Sequence, residues 1–241
     1  MGVPRLIRSR WLLCLIPALL LASCMAPPPS VESLWRPSDL GSGSALAALA
    51  ELPIKGRAPK TGYSRVRFGD RWTDDNDQIW GHNGCDTRDD ILRRDLSSVA
   101  AKPGGCKILS GTLHDPYTGR ELAFVRGPGT SSAVQIDHVV PLSNAWQTGA
   151  QSWSARQRQD FANDPLELIA VEGAINQAKG DGDAATWLPP NKPFRCEYAA
   201  RMVAIKRAWN LWVTPAEHDA LQRLLEPCGA QRMPAEPGIM G

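Results

Sequence analysis

The stretch Gln135-Ile136-Asp137-His138-Val139-Val140-Pro141-Leu142 decides the prediction of the fold. Residues 133–140 are mostly apolar and β-branched and stop at Pro141, which is typical of a short strand. Asp137 and His138 are neighbours near its end, and successive side chains of a strand point to opposite faces. The stretch therefore predicts a strand end that carries a potential metal ligand beside a potential general base.

Two asparagines follow at a distance along the chain. Asn163 stands in Ala162-Asn163-Asp164-Pro165-Leu166, and Asn176 in Ile175-Asn176-Gln177-Ala178-Lys179-Gly180. The order Asp-His, Asn, then Asn before Lys-Gly resembles the HNH, or ββα-metal, endonuclease family. Together with Trp187-Leu188-Pro189-Pro190 and Trp212-Val213-Thr214-Pro215, it is similar to exported bacterial HNH proteins related to the C-terminal domain of the GmrSD restriction enzymes. The resemblance covers residues 63–228.

The resemblance implies a division of roles among these four residues. A neutral histidine can take a proton from the attacking water near neutral pH, so His138 is the expected general base. Asn163 is expected to hold the His138 ring by a hydrogen bond. Asp137 and Asn176 are the expected ligands of a metal ion that offsets the charge built on the phosphate. The implied activity is hydrolysis of DNA, with RNA as an alternative substrate.

The expected metal follows from the ligand atoms. Some members of the family carry histidines where this chain has Asp137 and Asn176, and both residues here are oxygen donors. Oxygen ligands favour Mg²⁺ or Mn²⁺ over Zn²⁺. We therefore expect magnesium, with manganese able to substitute. Asp181 and Asp183 are further candidates to complete the metal's coordination shell.

The rest of the chain predicts an α+β domain, and the resemblance implies a ββα-metal core within it. Turn residues at 114–119 separate apolar runs at 107–113 and 121–126, which predicts a hairpin. An apolar run at 166–171 is brief, and residues 174–179 could begin a helix. Helices are expected at 86–96, 154–161, 197–209 and 215–225, the last opened by Thr214 as N-cap and Pro215 at its first position.

The cysteines of the domain form an even set of four. In an exported protein they predict two disulfides, and three pairings are possible. We favour pairings that close local segments, Cys85 with Cys106 and Cys196 with Cys228. The competing interpretation is a zinc site, and it is unfavoured because no Cys-x-x-Cys occurs.

The N-terminus predicts export. Basic residues at 5–10 precede an apolar run at 11–22, which is shorter than the roughly 20 residues of a membrane-spanning helix. Leu21-Ala22-Ser23-Cys24 resembles the lipobox of bacterial lipoproteins and implies a lipid anchor on Cys24 to the cell envelope; ordinary signal cleavage is the alternative. We expect an export signal at 1–23, a Pro/Gly/Ser-rich linker at 24–62, the folded domain at 63–228 and a flexible tail at 229–241.

The net charge of +2 over the whole sequence arises from the arginines of the export signal, since no acid precedes Glu32. A 43% apolar chain of 241 residues excludes a disordered or fibrous protein. The expected contacts with substrate phosphates are Lys179, Arg88 and Arg120. The alternative to a nuclease is a catalytically silent HNH-like module that binds a partner at the cell surface. No inhibitor or immunity protein is identifiable from the sequence.

Overall fold

The computed structural model describes residues 1–2 and 43–234, and this part of the chain is a mixed α+β domain. Its helices are α1 (Ala45–Glu51), α2 (Thr87–Asp95), α3 (Leu142–Gln147), α4 (Ala155–Ala162), α5 (Gly173–Lys179), α6 (Arg195–Ala208) and α7 (Pro215–Leu225). Its strands are β1 (Leu96–Ala101), β2 (Ile108–His114), β3 (Glu121–Val125), β4 (Val134–His138) and β5 (Leu168–Glu172). The α+β class and the hairpin formed by β2 and β3 are confirmed.

The strands form two small antiparallel sheets. β1, β2 and β3 lie side by side in that order, and β4 pairs with β5 alone. In the β4–β5 pair Asp137 is opposite Ile169, and His138 is opposite Leu168. Helix α5 begins at the residue after β5, so two antiparallel strands and a helix form a ββα unit.

The β4–β5 pair separates two hydrophobic cores. Ile136 and Leu168 on one face pack into the smaller core, with α2 and the three-stranded sheet. Ile169 and Val171 on the other face belong to the larger core, which α1, α6 and α7 also line. Because side chains alternate along β4, Asp137 faces the side of Ile169 and His138 faces the side of Leu168.

Both disulfides form with the favoured pairing. Cys85 is bonded to Cys106, and Cys196 to Cys228. The first joins the loop that precedes α2 to the turn between β1 and β2, and the second joins the first turn of α6 to the 3₁₀ turn that follows α7. Each bridge therefore closes a local loop between neighbouring elements of the fold.

The sequence predicts that the folded domain begins at Tyr63. In the structure it begins well before that residue. Within the predicted linker, helix α1 forms, and its residues Ala45, Ala48 and Leu49 are fully buried in the larger core. The backbone of Ala45 also donates a hydrogen bond to the carbonyl of Gln231. The predicted linker and tail are thus part of the domain over residues 44–62 and 231–233, because they cover apolar surface of α6 and α7.

Two further elements differ from the sequence-based expectation. Pro141, where the strand pattern stops, is followed directly by α3, which the sequence did not predict, since a proline is compatible with the start of a helix. Strand β1 was not predicted, because Ser97 and Ser98 interrupt its apolar pattern. In the described ranges no helix has both the length and the apolar character to cross a membrane. Most of the predicted export signal, and Cys24, lie outside the described residues.

Candidate functional site

His138 lies at the end of β4 and is almost fully buried, at 6% exposure. Its Nε2 donates a hydrogen bond to the carbonyl oxygen of Ala162 at 3.1 Å. The ring of Trp72 stacks on it, with centroids 5.7 Å apart and planes 12° from parallel. These contacts hold the imidazole ring on two sides and fix its orientation.

The protonation state of His138 follows from the same contacts. The pKa of His138 is lowered to about 3, first by burial and then by the charges of the nearby cations Arg65, Lys179 and Arg71. The ring is therefore neutral near pH 7. Because a carbonyl oxygen only accepts, the single proton is on Nε2, and Nδ1 carries a free lone pair.

The sequence predicts that Asn163 holds the His138 ring by a hydrogen bond. In the structure Asn163 lies beside His138 but does not form this bond. The amide nitrogen of Asn163 donates to the carbonyl of Gln159 at 2.9 Å, one turn back in α4. The preceding residue, Ala162, supplies the hydrogen bond to His138 through its backbone. Asn163 is 2% exposed, and its Oδ1 has no hydrogen-bond partner among the described residues.

An open cleft of about 340 Å³ adjoins His138. One wall is the segment of residues 65–72, which begins with a single turn of 3₁₀ helix (Arg65–Phe68). Leu142 at the start of α3, together with Ala162 and Asn163 at the end of α4, forms the opposite side. The cleft is therefore built where β4, α3 and α4 meet the N-terminal part of the domain.

Asp137 is on the other face of β4 and is engaged on both carboxylate oxygens. Lys179 of α5 lies 2.9 Å from Oδ1 and 2.8 Å from Oδ2, and the hydroxyl of Tyr117 donates to Oδ2 at 2.6 Å. Lys179 also donates to the backbone carbonyl of His138 at 2.7 Å. Asp137 is only 4% exposed, so its charge is balanced within the protein.

Asn176, the second predicted metal ligand, is half-buried on α5 and donates from its amide to the side-chain oxygen of Gln135 at 3.0 Å. No hydrogen bond joins it to Asp137 among the described residues. Nor do three or more His, Cys, Asp or Glu side chains in that part of the chain gather as a metal-binding group. The ammonium group of Lys179 occupies the Asp137 carboxylate, and its positive charge is incompatible with a divalent cation bound at the same place.

The two further candidates for the metal's shell also bind cations of the chain. Asp183 is paired with Arg57 at 2.5 Å, and Asp181 with Lys60 at 2.7 Å. Asp183 also accepts a hydrogen bond from the backbone of Ala185, in the turn after α5. These aspartates attach the 43–62 segment to the ββα unit instead of facing Asp137.

The three predicted substrate contacts have structural partners. Lys179 is buried against Asp137 and cannot reach a ligand in solution. Arg88 donates to the backbone carbonyls of Ser131 and Val134, which attaches α2 to the start of β4. Arg120 forms an ion pair with Glu172 at the end of β5. None of the three lines the cleft beside His138.

Glu167 holds the chain just after His138. Its backbone carbonyl accepts from Val139 at 3.0 Å, and its carboxylate oxygen Oε2 accepts from the backbone of Val140 at 3.2 Å. Burial raises the pKa of Glu167 well above its usual value, so the carboxyl group favours its neutral form. Arg201 of α6 binds three backbone carbonyls of the same loop. The strand end that presents His138 is thus rigidly supported.

Three residues of the cleft are not predicted from the sequence. Trp72, Arg65 and Arg71 all lie in Arg65-Val66-Arg67-Phe68-Gly69-Asp70-Arg71-Trp72. The available signal was the density of arginine there, with three among eight residues against a single acid. That segment has no regular period, and contact with His138 across 66 or more residues cannot be read from spacing.

Comparison with known protein families identifies a family for this chain. Residues 86–224 match the family described as GmrSD restriction endonucleases, C-terminal domain. An uncharacterized secreted protein of Arthroderma benhamiae, a fungus, is 38% identical over 218 residues, which are 90% of this chain and 98% of that protein. No solved structure matches the chain.

Proposed function

This chain belongs to the family of GmrSD restriction endonuclease C-terminal domains, and from this membership we propose that it is an exported nuclease. The proposed reaction is hydrolysis of phosphodiester bonds in DNA, with RNA as the alternative substrate. The single observation that carries the proposal is the neutral, oriented His138 at the floor of an open cleft. The ββα unit of β4, β5 and α5 supports it as the proposed HNH core.

In the proposed mechanism His138 acts as the general base. Its Nδ1 lone pair takes a proton from water, the water oxygen forms a bond to phosphorus, and the bond from phosphorus to the leaving oxygen breaks. The Ala162 carbonyl holds the Nε2 proton, so Nδ1 stays the accepting atom. An anionic substrate beside the ring offsets the cations that depress its pKa, which strengthens the base.

A requirement for Mg²⁺, with Mn²⁺ as substitute, stays a prediction from the family resemblance. Because Asp137 is bound by Lys179 and Tyr117, we assign no step of the mechanism to a metal at this carboxylate. Adding Mg²⁺, Mn²⁺ or a chelator to the cleavage reaction measures the requirement directly.

The test of the nuclease is nicking of supercoiled plasmid by the full-length chain. We expect His138→Ala to lower the rate by about 10²–10⁴-fold, since it removes general-base catalysis. His218→Ala is the matched control, because His218 lies on α7 and does not line the cleft, so the parental rate is expected. Equal cutting by His138→Ala would show that the base is another group.

A catalytically silent binding module is the second candidate. The observation that favours it is the ion pair of Asp137 with Lys179, which leaves this carboxylate without an open coordination site. This candidate predicts that DNA binds to the folded parent chain but stays intact with Mg²⁺ or Mn²⁺ present. Circular dichroism confirms folding in the same preparation, so that intact plasmid then refutes the nuclease.

Export is proposed on three observations. The first is the predicted N-terminal signal, and the second is the pair of disulfides, which persist in oxidising compartments. The third is the similarity to a protein named as secreted. Anchoring through a lipid on Cys24 stays a prediction, and mass spectrometry of the mature N-terminus distinguishes it from plain cleavage.

A further inference from the structure

The wall of the cleft opposite α3 and α4 carries two arginines without a partner. Arg65 and Arg71 line the cleft and are exposed. Within residues 43–234 the guanidinium group of neither residue forms a hydrogen bond or an ion pair. Asp70 lies on the same wall, and it is not within 4 Å of either guanidinium as an ion-pair partner.

Most other arginines of the domain do have such partners. Arg126 binds Asp89, Arg156 binds Asp75 and Asp77, and Arg57 binds Asp183. Two free guanidinium groups in one cleft therefore stand out. They are also close enough to act on each other, because the charge of Arg71 contributes, after burial, to lowering the pKa of Arg65. Such a pair is unfavourable unless an anion binds between or beside the two groups.

A second observation points to a ligand at the same place. Asn163 is almost fully buried, lines the cleft, and keeps its Oδ1 without a hydrogen-bond partner. Buried polar atoms in native proteins rarely stay unpartnered, and an orphan in a cleft commonly marks a position that water or a ligand fills. The cleft thus offers two cations to an anion beside His138, whereas the Asn163 oxygen can only accept and therefore suits a water molecule rather than a phosphate oxygen.

We propose that Arg65 and Arg71 bind a phosphodiester group of a polynucleotide at the mouth of the His138 cleft. A guanidinium group donates two parallel N–H bonds, and this geometry matches two oxygens of one phosphate. The site deepens the proposed function and rests on it for the identity of the ligand. Both arginines lie outside residues 86–224, so this contact comes from the part of the domain that precedes the family match.

Arg67 provides a matched control from the same turn of the chain. It is exposed like Arg65, but its guanidinium packs over the ring of Trp146, with 5.7 Å to the centroid, and it does not line the cleft. Loss of Arg67 removes one positive charge two residues from Arg65. A contribution from net charge alone would therefore affect the Arg65 and Arg67 variants equally.

The experiment measures binding of fluorescein-labelled DNA, duplex and single-stranded, by fluorescence anisotropy at several salt concentrations. The full-length His138→Ala chain is the parent, so that the DNA is not cut. We expect Arg65→Ala and Arg71→Ala each to weaken binding about tenfold, as for loss of a charge-assisted hydrogen bond. The double variant should also lower the slope of log affinity against log salt by about 2 for duplex DNA. Arg67→Ala should change affinity less than about twofold.

Lysine variants separate charge from geometry. Arg65→Lys and Arg71→Lys keep the positive charge but lose the planar fork, so we expect the parental salt slope with an affinity between those of the parent and the alanine variants. Circular dichroism and intact disulfides confirm the fold of each variant. An Arg65→Ala/Arg71→Ala variant that binds with parental affinity and parental slope overturns the proposal.

The outcomes for this site and for the nuclease are distinguishable. If the unmodified chain nicks plasmid while the double arginine variant binds as the parent does, only the phosphate site fails. If the chain cuts nothing but its DNA binding depends on Arg65 and Arg71, the nuclease fails and the phosphate site stands. Absence of both binding and cleavage overturns both.

Discussion

Lys179 and Asp137 form an ion pair that is shielded from solvent and joined to Tyr117. Taking such charges out of water costs several kcal/mol per ion, so each charge depends on its partner. The pair connects α5 to β4, and the bond from Lys179 to the His138 carbonyl extends it to the strand end. The residues expected to hold a metal and a phosphate instead support the backbone beneath the base.

Replacing Lys179 tests this role. We expect Lys179→Met to lower the free energy of unfolding by about 3–5 kcal/mol, because it leaves the Asp137 carboxylate buried without a cation. Urea unfolding followed by circular dichroism measures the change. The Lys179→Met/Asp137→Asn double variant should recover part of the loss. If Lys179→Met were as stable as the parent and merely bound DNA more weakly, Lys179 would be a substrate contact after all.

At single residues, the sequence predicted the position of His138 but not its partners. Its place at the end of β4, opposite in direction to Asp137, follows from strand alternation alone. The contact with Ala162 could not be predicted, because a backbone carbonyl has no sequence signature. The stacking of Trp72 on His138 could not be predicted either, since it depends on how the segment of residues 65–72 folds back on β4.

Helix α2 begins with a regular N-cap, but it also buries the carboxyl group of Asp90. Asp86 caps it by accepting from the backbone of Asp89 at 2.8 Å, which is the favoured arrangement at an N-terminus. Asp90 faces inward and is 5% exposed, with one hydrogen bond from the amide of Asn83. The pKa of Asp90 is raised to about 6, first by burial and then by the negative charges of the neighbouring Asp74 and Asp86.

The stability of the domain should therefore depend on pH through Asp90. Its pKa in the folded state exceeds the unfolded value of about 3.9, so the folded state holds the proton more tightly and this group costs stability as pH rises from about 4 to 6. Asp90→Asn should be more stable than the parent by about 1–2 kcal/mol near pH 7.5, and equal to it below about pH 4. Thermal unfolding at the two pH values measures this.

The exposed Asp219 on α7 is the control for that measurement. Asp219→Asn removes one carboxylate from the surface and should change the stability by less than about 0.5 kcal/mol. A parallel shift of the Asp90→Asn curve at both pH values would mean that the substitution acts through packing and not through the proton.

Elements with a local signal were predicted well, and elements that depend on tertiary contacts were not. The hairpin of β2 and β3 follows from its turn residues, and α7 from its capping box at Thr214 and Glu217. The assignment of α1 to a linker was wrong. A seven-residue Ala/Leu helix has little stability by itself, and only the apolar surface of α6 and α7 makes it part of the core.

For the whole molecule, the segment before Tyr63 is required for the larger core. Leu49 and Leu52 are buried there, and Arg57 pairs with Asp183 after α5. The β4–β5 pair lies between both cores, so a loss of packing in the larger core reaches the strand that carries His138.

Truncation tests the boundary. A chain of residues 43–234 should unfold with the cooperativity and stability of the mature protein. A chain of residues 63–228 should have a free energy of unfolding that is lower by about 3–6 kcal/mol. It lacks the two buried leucines, and the apolar surface of α6 and α7 that they cover becomes exposed to solvent. Urea unfolding of the two chains compares them. Equal midpoints would show that residues 43–62 and 229–234 contribute no stability and are a linker and a tail.

The short bridge between Ser44 and Arg232 places the two ends of the described domain side by side. Domains with neighbouring ends are suited to circular permutation and to insertion into a host protein, since a short peptide can connect the ends without stretching the fold. A chain reconnected from Arg232 to Ser44 and reopened at the exposed turn near Gly104 would keep both cores contiguous. When such a domain is inserted into a host protein, the chain enters and leaves it at neighbouring positions, so the host needs to open at only one place.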